Sequence, residues 1–187
     1  MILPVIAYGT PILKQKAAFI DREYEGLDEL VKNMYDTMYN AHGVGLAAPQ
    51  VGFSIRLFVI DTTPFAEDEP TLKGLKKIFI NAEILEQSGE KWKFNEGCLS
   101  IPSVREDIER QKIITIRYQD EKFEHHEETM SGLLARVVQH EYDHIEGVLF
   151  TDRLSQLRKT ILRGKLQNIT RGQVKVEYRM KFPMFRK

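Results

Sequence analysis

Cysteine is nearly missing from the 187-residue sequence, which holds only Cys98. A single thiol cannot close an internal disulfide, so nothing points to an oxidising compartment and the cytoplasm is the expected location. Long apolar runs are missing too, none approaching the roughly 20 residues of a membrane span, and no membrane partner is expected. The opening MILPVIAYGTP is apolar but short, lacks a basic start and contains two prolines, which is not the pattern of a secretory leader. There are no internal repeats and no low-complexity segments. The chain is 42% hydrophobic and 29% charged, the composition of an ordinary globular protein, and its length suits one domain over 1–187. A monomer is expected.

Net charge is also absent, with 27 basic and 27 acidic residues, but the balance is uneven along the chain. Residues 1–152 hold 16 Lys and Arg against 26 Asp and Glu, whereas 153–187 hold 11 against Glu177 alone. From charge alone, this basic extension suits a polyanionic partner and a solvated helix and strand equally well.

What is present reads as a mixture of helices and strands. Thr10-Pro11 resembles an N-cap with proline at the first helical position and predicts a short helix to about Ala18. Leu27, Leu30, Val31, Met34, Tyr35 and Met38 recur at three- and four-residue steps and predict a helix ending before Gly43. Strands are expected at 54–61 and 76–81, around an exposed loop with Pro64, Pro70 and several acids, Asp68 among them. EKWKF at 90–94 leads into the cysteine, and 112–118 and 122–128 make a hairpin around Gln119-Asp120-Glu121. A helix is expected over 131–146 with Gly147 as its stop. A further helix (153–167) and a strand (174–180) close the chain. The helix would anchor through Leu154, Leu157, Ile161 and Leu162 and present Arg158, Lys159 and Arg163 to phosphates. Without regular βαβ alternation, the class is α+β.

His140, Glu141 and His144 form H-E-x-x-H inside the predicted third helix. A spacing of four residues puts both imidazoles on one face, while Glu141 is turned about 100° away, able to reach a reacting water without taking a ligand position. Leu133, Leu134, Val137 and Val138 read as buried, which favours a site over two solvated surface histidines. Catalytic sites of this kind usually have three protein ligands. The other histidines, His42, His125 and His126, lie upstream, and the last two adjoin in a strand and face opposite ways. Downstream of Gly147 the only acids are Asp152 and Glu177. Cys98, between a glycine and a proline-containing turn, is a candidate third ligand, with a buried structural cysteine as the alternative.

Three stretches in order, GVGLAAPQ at 43–50, EGCLS at 96–100 and QHEYDHIEG at 139–147, resemble the peptide deformylases, and the match spans roughly residues 1–155. That family removes the formyl group from the initiator methionine of new polypeptides. The resemblance implies mixed antiparallel strands around a central helix carrying H-E-x-x-H. It makes Cys98, His140 and His144 ligands of one divalent ion and Glu141 the catalytic acid/base. Fe²⁺ is the implied ion in the cell, and the donor set also suits Zn²⁺, Ni²⁺ and Co²⁺. A thiolate ligand would make the ion a milder Lewis acid than three imidazoles would. The side-chain amide of Gln50 and the backbone N–H of Leu99 are the implied donors to the oxygen of the tetrahedral intermediate. Formyl-Met nascent peptides are the implied substrates, and the ribosome is a candidate partner of the basic extension.

Around this centre, Gly43 and Gly45 would let the backbone approach a peptide added as a strand, and Gly43 equally suits a helix C-cap. Val137 and Leu133, three and seven residues before His140, would form a methionine pocket with Val44 opposite. Arg136 is expected at the pocket mouth and Arg105 beside the peptide beyond methionine, with surface ion pairs as the alternative for both. Glu96 is favoured over Asp143 as the carboxylate that orients a ligating imidazole, Asp143 suiting a salt bridge.

Two rival readings stay open. One makes Cys98 a nucleophile and His140 its base in a metal-free amide hydrolase. The other is a non-catalytic, metal-stabilised module for ribosomes or RNA, which the basic extension supports but which lacks a fourth ligand. The ending VKVEYRMKF departs from family members that finish in a long helix.

Overall fold

Strand alternation and two amphipathic helices generate the architecture, seen in a computed structural model that describes residues 1–67 and 69–183. Asp68 and the last bases of the tail, Arg186 and Lys187, lie outside the described residues. The first helix, α1 (Leu27–Asn40), buries Leu27, Leu30, Met34, Tyr35 and Met38, the stripe its sequence period requires. Asp28 and Glu29 in its first turn complement the helix dipole. It ends in a left-handed residue, but that residue is His42 (φ 55°) rather than Gly43. Gly43 N–H donates to Met38 O at 2.9 Å and His42 N–H to Tyr39 O at 3.0 Å, which satisfies the last carbonyls.

Five antiparallel strands form the main sheet in the order β2 (Gly45–Ala47), β3 (Leu57–Asp61), β4 (Lys76–Cys98), β5 (Ile101–Gln119), β6 (His125–Ser131). The LFVI run of β3 is apolar throughout because both faces are covered. Phe58 and Ile60 join one core with Phe79, Ile114, Ile116 and Val138, and Leu57 and Val59 join a second with Met34, Met38 and Leu46. The helix α2 (Gly132–Ile145) packs against β2, β3 and β5 and carries the H-E-x-x-H at the centre of the fold. It stops where expected. Gly147 (φ 72°) accepts the left-handed turn, and a Cβ there would come within 2.8 Å of the Lys14 backbone. The protein therefore has the α+β fold expected, antiparallel strands around a central helix.

Several boundaries differ from the sequence expectation. The helix expected from Thr10 is a single 3-10 turn, Pro11–Lys14, because Gln15 is extended and Ala18 bridges to Ile55. The strand expected at 76–81 continues through 90–94 to Cys98 as one strand, β4, bent by register shifts against β5 near Ile80, Ile84, Ser88 and Gly97. The loop after β3 contains the turns Thr63–Phe65 and Pro70–Leu72, and Thr62 and Leu72 are buried, so it is not wholly exposed. The last helix among the described residues, α3 (Gln156–Thr170), begins after a 3-10 turn at Phe150–Arg153, with Ser155 Oγ capping Arg158 N–H at 3.3 Å. It anchors through Leu162, Leu166 and Ile169 beside Leu154. Leu157 and Ile161 point outward, 71% and 57% exposed, contrary to the anchoring expected of them. The final strand is only β7 (Met180–Lys181), parallel to β1 (Val5–Ile6). No helix among the described residues is long and apolar enough to cross a membrane.

Candidate active site

Two elements bring the chemistry together. On α2, His140 and His144 lie one turn apart, with ring centroids 5.1 Å apart and planes at 79°. The end of β4 delivers Cys98, whose Sγ is 3.4 Å from His144 Nε2. One donor atom from each of the three residues falls within 4.8 Å of the others. Two ligands held about 2.3 and 2.0 Å from one tetrahedral ion sit roughly 3.5 Å apart, so the sulfur–nitrogen spacing suits a shared ion. His144 is 1% exposed and its Nδ1 has no partner among the described residues. A thiol and two imidazoles are also the donor chemistry that first-row divalent ions accept.

Residues 96 and 98 fall on the same side of β4 by the period of two, so Glu96 follows Cys98 inward. Its Oε2 is 2.9 Å from His140 Nδ1, which keeps the proton on Nδ1 and leaves Nε2 for the cluster. Two arginines hold Glu96 in turn. Arg110 Nε and Nη2 donate to it at 2.7 and 2.9 Å, and Arg136 Nη1 donates at 2.9 Å. Arg110 Nη1 also reaches Asp143 Oδ2 at 2.7 Å, and Arg153 binds Asp143 at 2.7 and 2.5 Å. Asp143 is thus in salt bridges and Glu96 touches the imidazole. Arg136 lines the same cavity as Cys98 and Glu141, and its ion pair with Glu96 is buried rather than on the surface. It is 2% exposed, stacked on Trp92 at 4.6 Å, and donates to the Trp92 and Ile108 carbonyls as well as to Glu96. Sequence reasoning missed Arg110. Its signal was a buried alternation in β5, where Val104, Glu106, Ile108 and Arg110 all point inward and two of the four are charged.

Glu141 is 4% exposed, and its carboxylate lies against Gly45, where a Cβ would overlap it. Gly43 is similarly constrained, a Cβ there reaching 2.9 Å from Leu99 Cδ1. Gln50 is buried and oriented, its Oε1 accepting Ala47 N–H at 2.8 Å. Its Nε2 then points at Cys98 Sγ (3.4 Å) and Ser100 Oγ (3.3 Å). These groups border one cavity of about 660 Å³, which Val44, Val137, Leu99 and Arg105 also line. Arg105 is exposed at its edge and clamped to Asn95 at 2.8 and 2.7 Å. Leu133 is not among the residues lining this cavity and is only half-buried. His126 pairs with Asp120 at 2.9 Å and His125 is exposed, both on β6. The tail segment Lys175, Val176, Glu177 and Tyr178 forms a cavity wall that no periodicity in the sequence announced.

The electrostatics separate the two carboxylates. Burial raises Glu96, but Arg110 and His140 outweigh it and hold the carboxyl well below the usual range. Burial dominates at Glu141 and pushes its pKa up to about 7, where a group can both take and return a proton near neutrality. Burial disfavours charge on His140, yet the Cys98 sulfur and Glu96 push its pKa up to about 10. His144, buried beside that charge, is held well below its ordinary value.

A family model described as polypeptide deformylase matches residues 2–160. The chain is 60% identical to the peptide deformylase of Christiangramia forsetii, covering 100% of this chain and 99% of that protein. It is 56% identical, with the same coverage, to the peptide deformylase of Flavobacterium johnsoniae. Among solved structures, a peptide deformylase from Legionella pneumophila is similar with TM-score 0.80 and 38% identity, over 92% of this chain and 98% of that one. The peptide deformylase of Thermotoga maritima gives TM-score 0.75 and 41% identity, over 83% and 99%.

Proposed function

The chain belongs to the polypeptide deformylase family, a family of metalloenzymes, and on that premise we propose that it removes the formyl group from the initiator methionine of nascent polypeptides at one divalent ion held by Cys98, His140 and His144. The observation that carries the reading is the meeting of Cys98 Sγ and His144 Nε2 at 3.4 Å beside a buried Glu141. When bound, the ion supplies Lewis-acid polarisation of the formyl oxygen and lowers the pKa of water. Glu141 takes a proton from the attacking water and returns it to the departing amine nitrogen, so water and formamide become formate and a free amine. The Gln50 side-chain amide and the Leu99 N–H donate to the oxygen that gains charge. This role is supported by Ala47 N–H, which holds the Gln50 amide by its Oε1 and leaves Nε2 on the Cys98 side. Val137 and Val44 offer the methionine side chain an apolar surface, and Gly43 and Gly45 let the substrate backbone lie close. Glu96 holds the His140 ring and its tautomer, and Arg136 holds Glu96.

Fe²⁺ is the proposed ion in the cell, and a nascent-chain substrate places the enzyme in the cytoplasm. Activity that is stable in air and equal with zinc and iron would argue against iron. The ribosome is the proposed partner of the basic extension, through exposed Arg163 and Lys165 beside Leu157 and Ile161. Arg158 is committed elsewhere, donating to Glu106 at 2.9 and 2.5 Å. Reversing Arg163 and Lys165 should weaken ribosome sedimentation and leave formate release from a short peptide unchanged. Sedimentation that does not change removes the ribosome contact.

Glu141→Gln tests the chemistry. It should retain the metal and lose at least about 10²-fold in formate release from formyl-Met-Ala-Ser. Near-normal turnover would contradict the proton-transfer role. A metal-free Cys98–His140 hydrolase would instead keep its rate after treatment with a strong chelator.

A further inference from the structure

We propose that Tyr178, in the tail beyond α3, is a positioning residue that holds the Leu99 segment so that the Leu99 amide faces the reacting formyl oxygen. The proposal rests on the deformylase reading of Leu99. Tyr178 Oη donates to the Leu99 carbonyl at 2.7 Å, across 79 residues of sequence, and its side chain lines the cavity. The next residue is held from the other side, Tyr8 N–H donating to Ser100 O at 2.9 Å. Gln50 Nε2 completes the clasp through Ser100 Oγ at 3.3 Å and Cys98 Sγ at 3.4 Å. The three residues Cys98, Leu99 and Ser100 are thus fixed by one side chain from the GVGLAAPQ segment, one backbone amide near the N-terminus and one phenol from the tail. Fixing the carbonyls of Leu99 and Ser100 leaves the backbone of Leu99 little freedom to turn its N–H away. A donor to a developing oxyanion must be placed to within a fraction of an ångström, since a 1 Å error can cost about 10²-fold.

The competing explanation is that Tyr178 merely fastens the tail. The tail has other fasteners. Val5 N–H donates to Arg179 O and Ala7 N–H to Lys181 O, both at 2.9 Å, while Val174 and Met180 pack on the core around Leu162 and Ile169. Removing one hydroxyl should therefore leave the tail in place and release only Leu99. A purely structural tyrosine has no reason to alter turnover selectively.

The test compares wild type with Tyr178→Phe, which keeps the ring and deletes the hydroxyl. Formate release from formyl-Met-Ala-Ser is measured at saturating and limiting peptide, with metal content and thermal midpoint on the same preparations. The expected result is a kcat lower by about tenfold, a KM within about twofold, and unchanged metal and midpoint. An unchanged kcat in an active wild-type background overturns the positioning role and leaves the deformylase reading standing. So does a loss explained by lower metal content or an earlier midpoint. A wild type that releases no formate overturns both.

Discussion

Gly45 and Glu141 occupy the same space in the sense that a side chain on one would displace the other. A Cβ at position 45 would overlap the Glu141 carboxylate, so β2 passes against α2 at a distance only glycine allows. Gly45→Ala should push the carboxylate off its position. We expect turnover to fall by about 10²-fold, with metal content and melting near those of wild type. Full activity in this variant would mean that the placement of Glu141 does not matter.

The Glu96–Arg110 pair makes a different prediction, because it acts through His140. Glu96→Gln should weaken metal binding by about 10- to 100-fold, read by competition with a chromophoric chelator. Arg110→Met leaves Glu96 and Asp143 both short of a buried partner and should cost about 3 kcal/mol in denaturant unfolding. A loss below about 1 kcal/mol would show that the two carboxylates find other partners.

Arg56 and Glu146 give a pH dependence. Arg56 is fully buried between the rings of Phe19 and Tyr142, and its Nη2 meets Glu146 Oε1 at 2.7 Å. Burial works against the Glu146 charge, but Arg56 and Lys16 outweigh it and hold the carboxyl below its ordinary 4.5. A lowered folded pKa stabilises fully above the unfolded value, and that contribution is lost as pH falls through the folded one. Glu146→Gln should cost about 2 kcal/mol at neutral pH, a value reduced because Glu146 is partly exposed. The gap from wild type should close as pH falls below about 4. An equal gap at both ends of that range would contradict the linkage.

Val137→Ala enlarges the apolar side of the cavity next to α2. Discrimination for methionine over smaller side chains should weaken by roughly 1–3 kcal/mol in relative kcat/KM. An unchanged preference would place the methionine pocket elsewhere.

The central helix was readable because its apolar period, its paired histidines and its stop at Gly147 all agree on one element. The three motif segments nominated the residues that now surround the cavity, because each is short and locally distinctive. Long-range pairing was harder to read. The bulges of β4 look like strand breaks in sequence, since Ser88-Gly89 resembles a turn and nothing local shows that β5 continues alongside. Arg110 and Arg136 were obscured for a related reason. A buried guanidinium is legible only once Glu96 and Asp143, 14 and 33 residues away from Arg110, are seen beside it. Leu157 and Ile161 misled because α3 is packed on its Leu162–Leu166–Ile169 side, and the helical period alone does not choose between apolar faces.

The most direct measurement is a metal titration of chelator-stripped protein under anaerobic conditions, with formate release followed at each addition for wild type and Cys98→Ser. The account predicts that wild-type activity starts from near zero and saturates at one equivalent of Fe²⁺, while Cys98→Ser binds the ion weakly and recovers little activity. Stripped wild type that keeps its full rate, or a Cys98→Ser variant that saturates at one equivalent with full turnover, would contradict it.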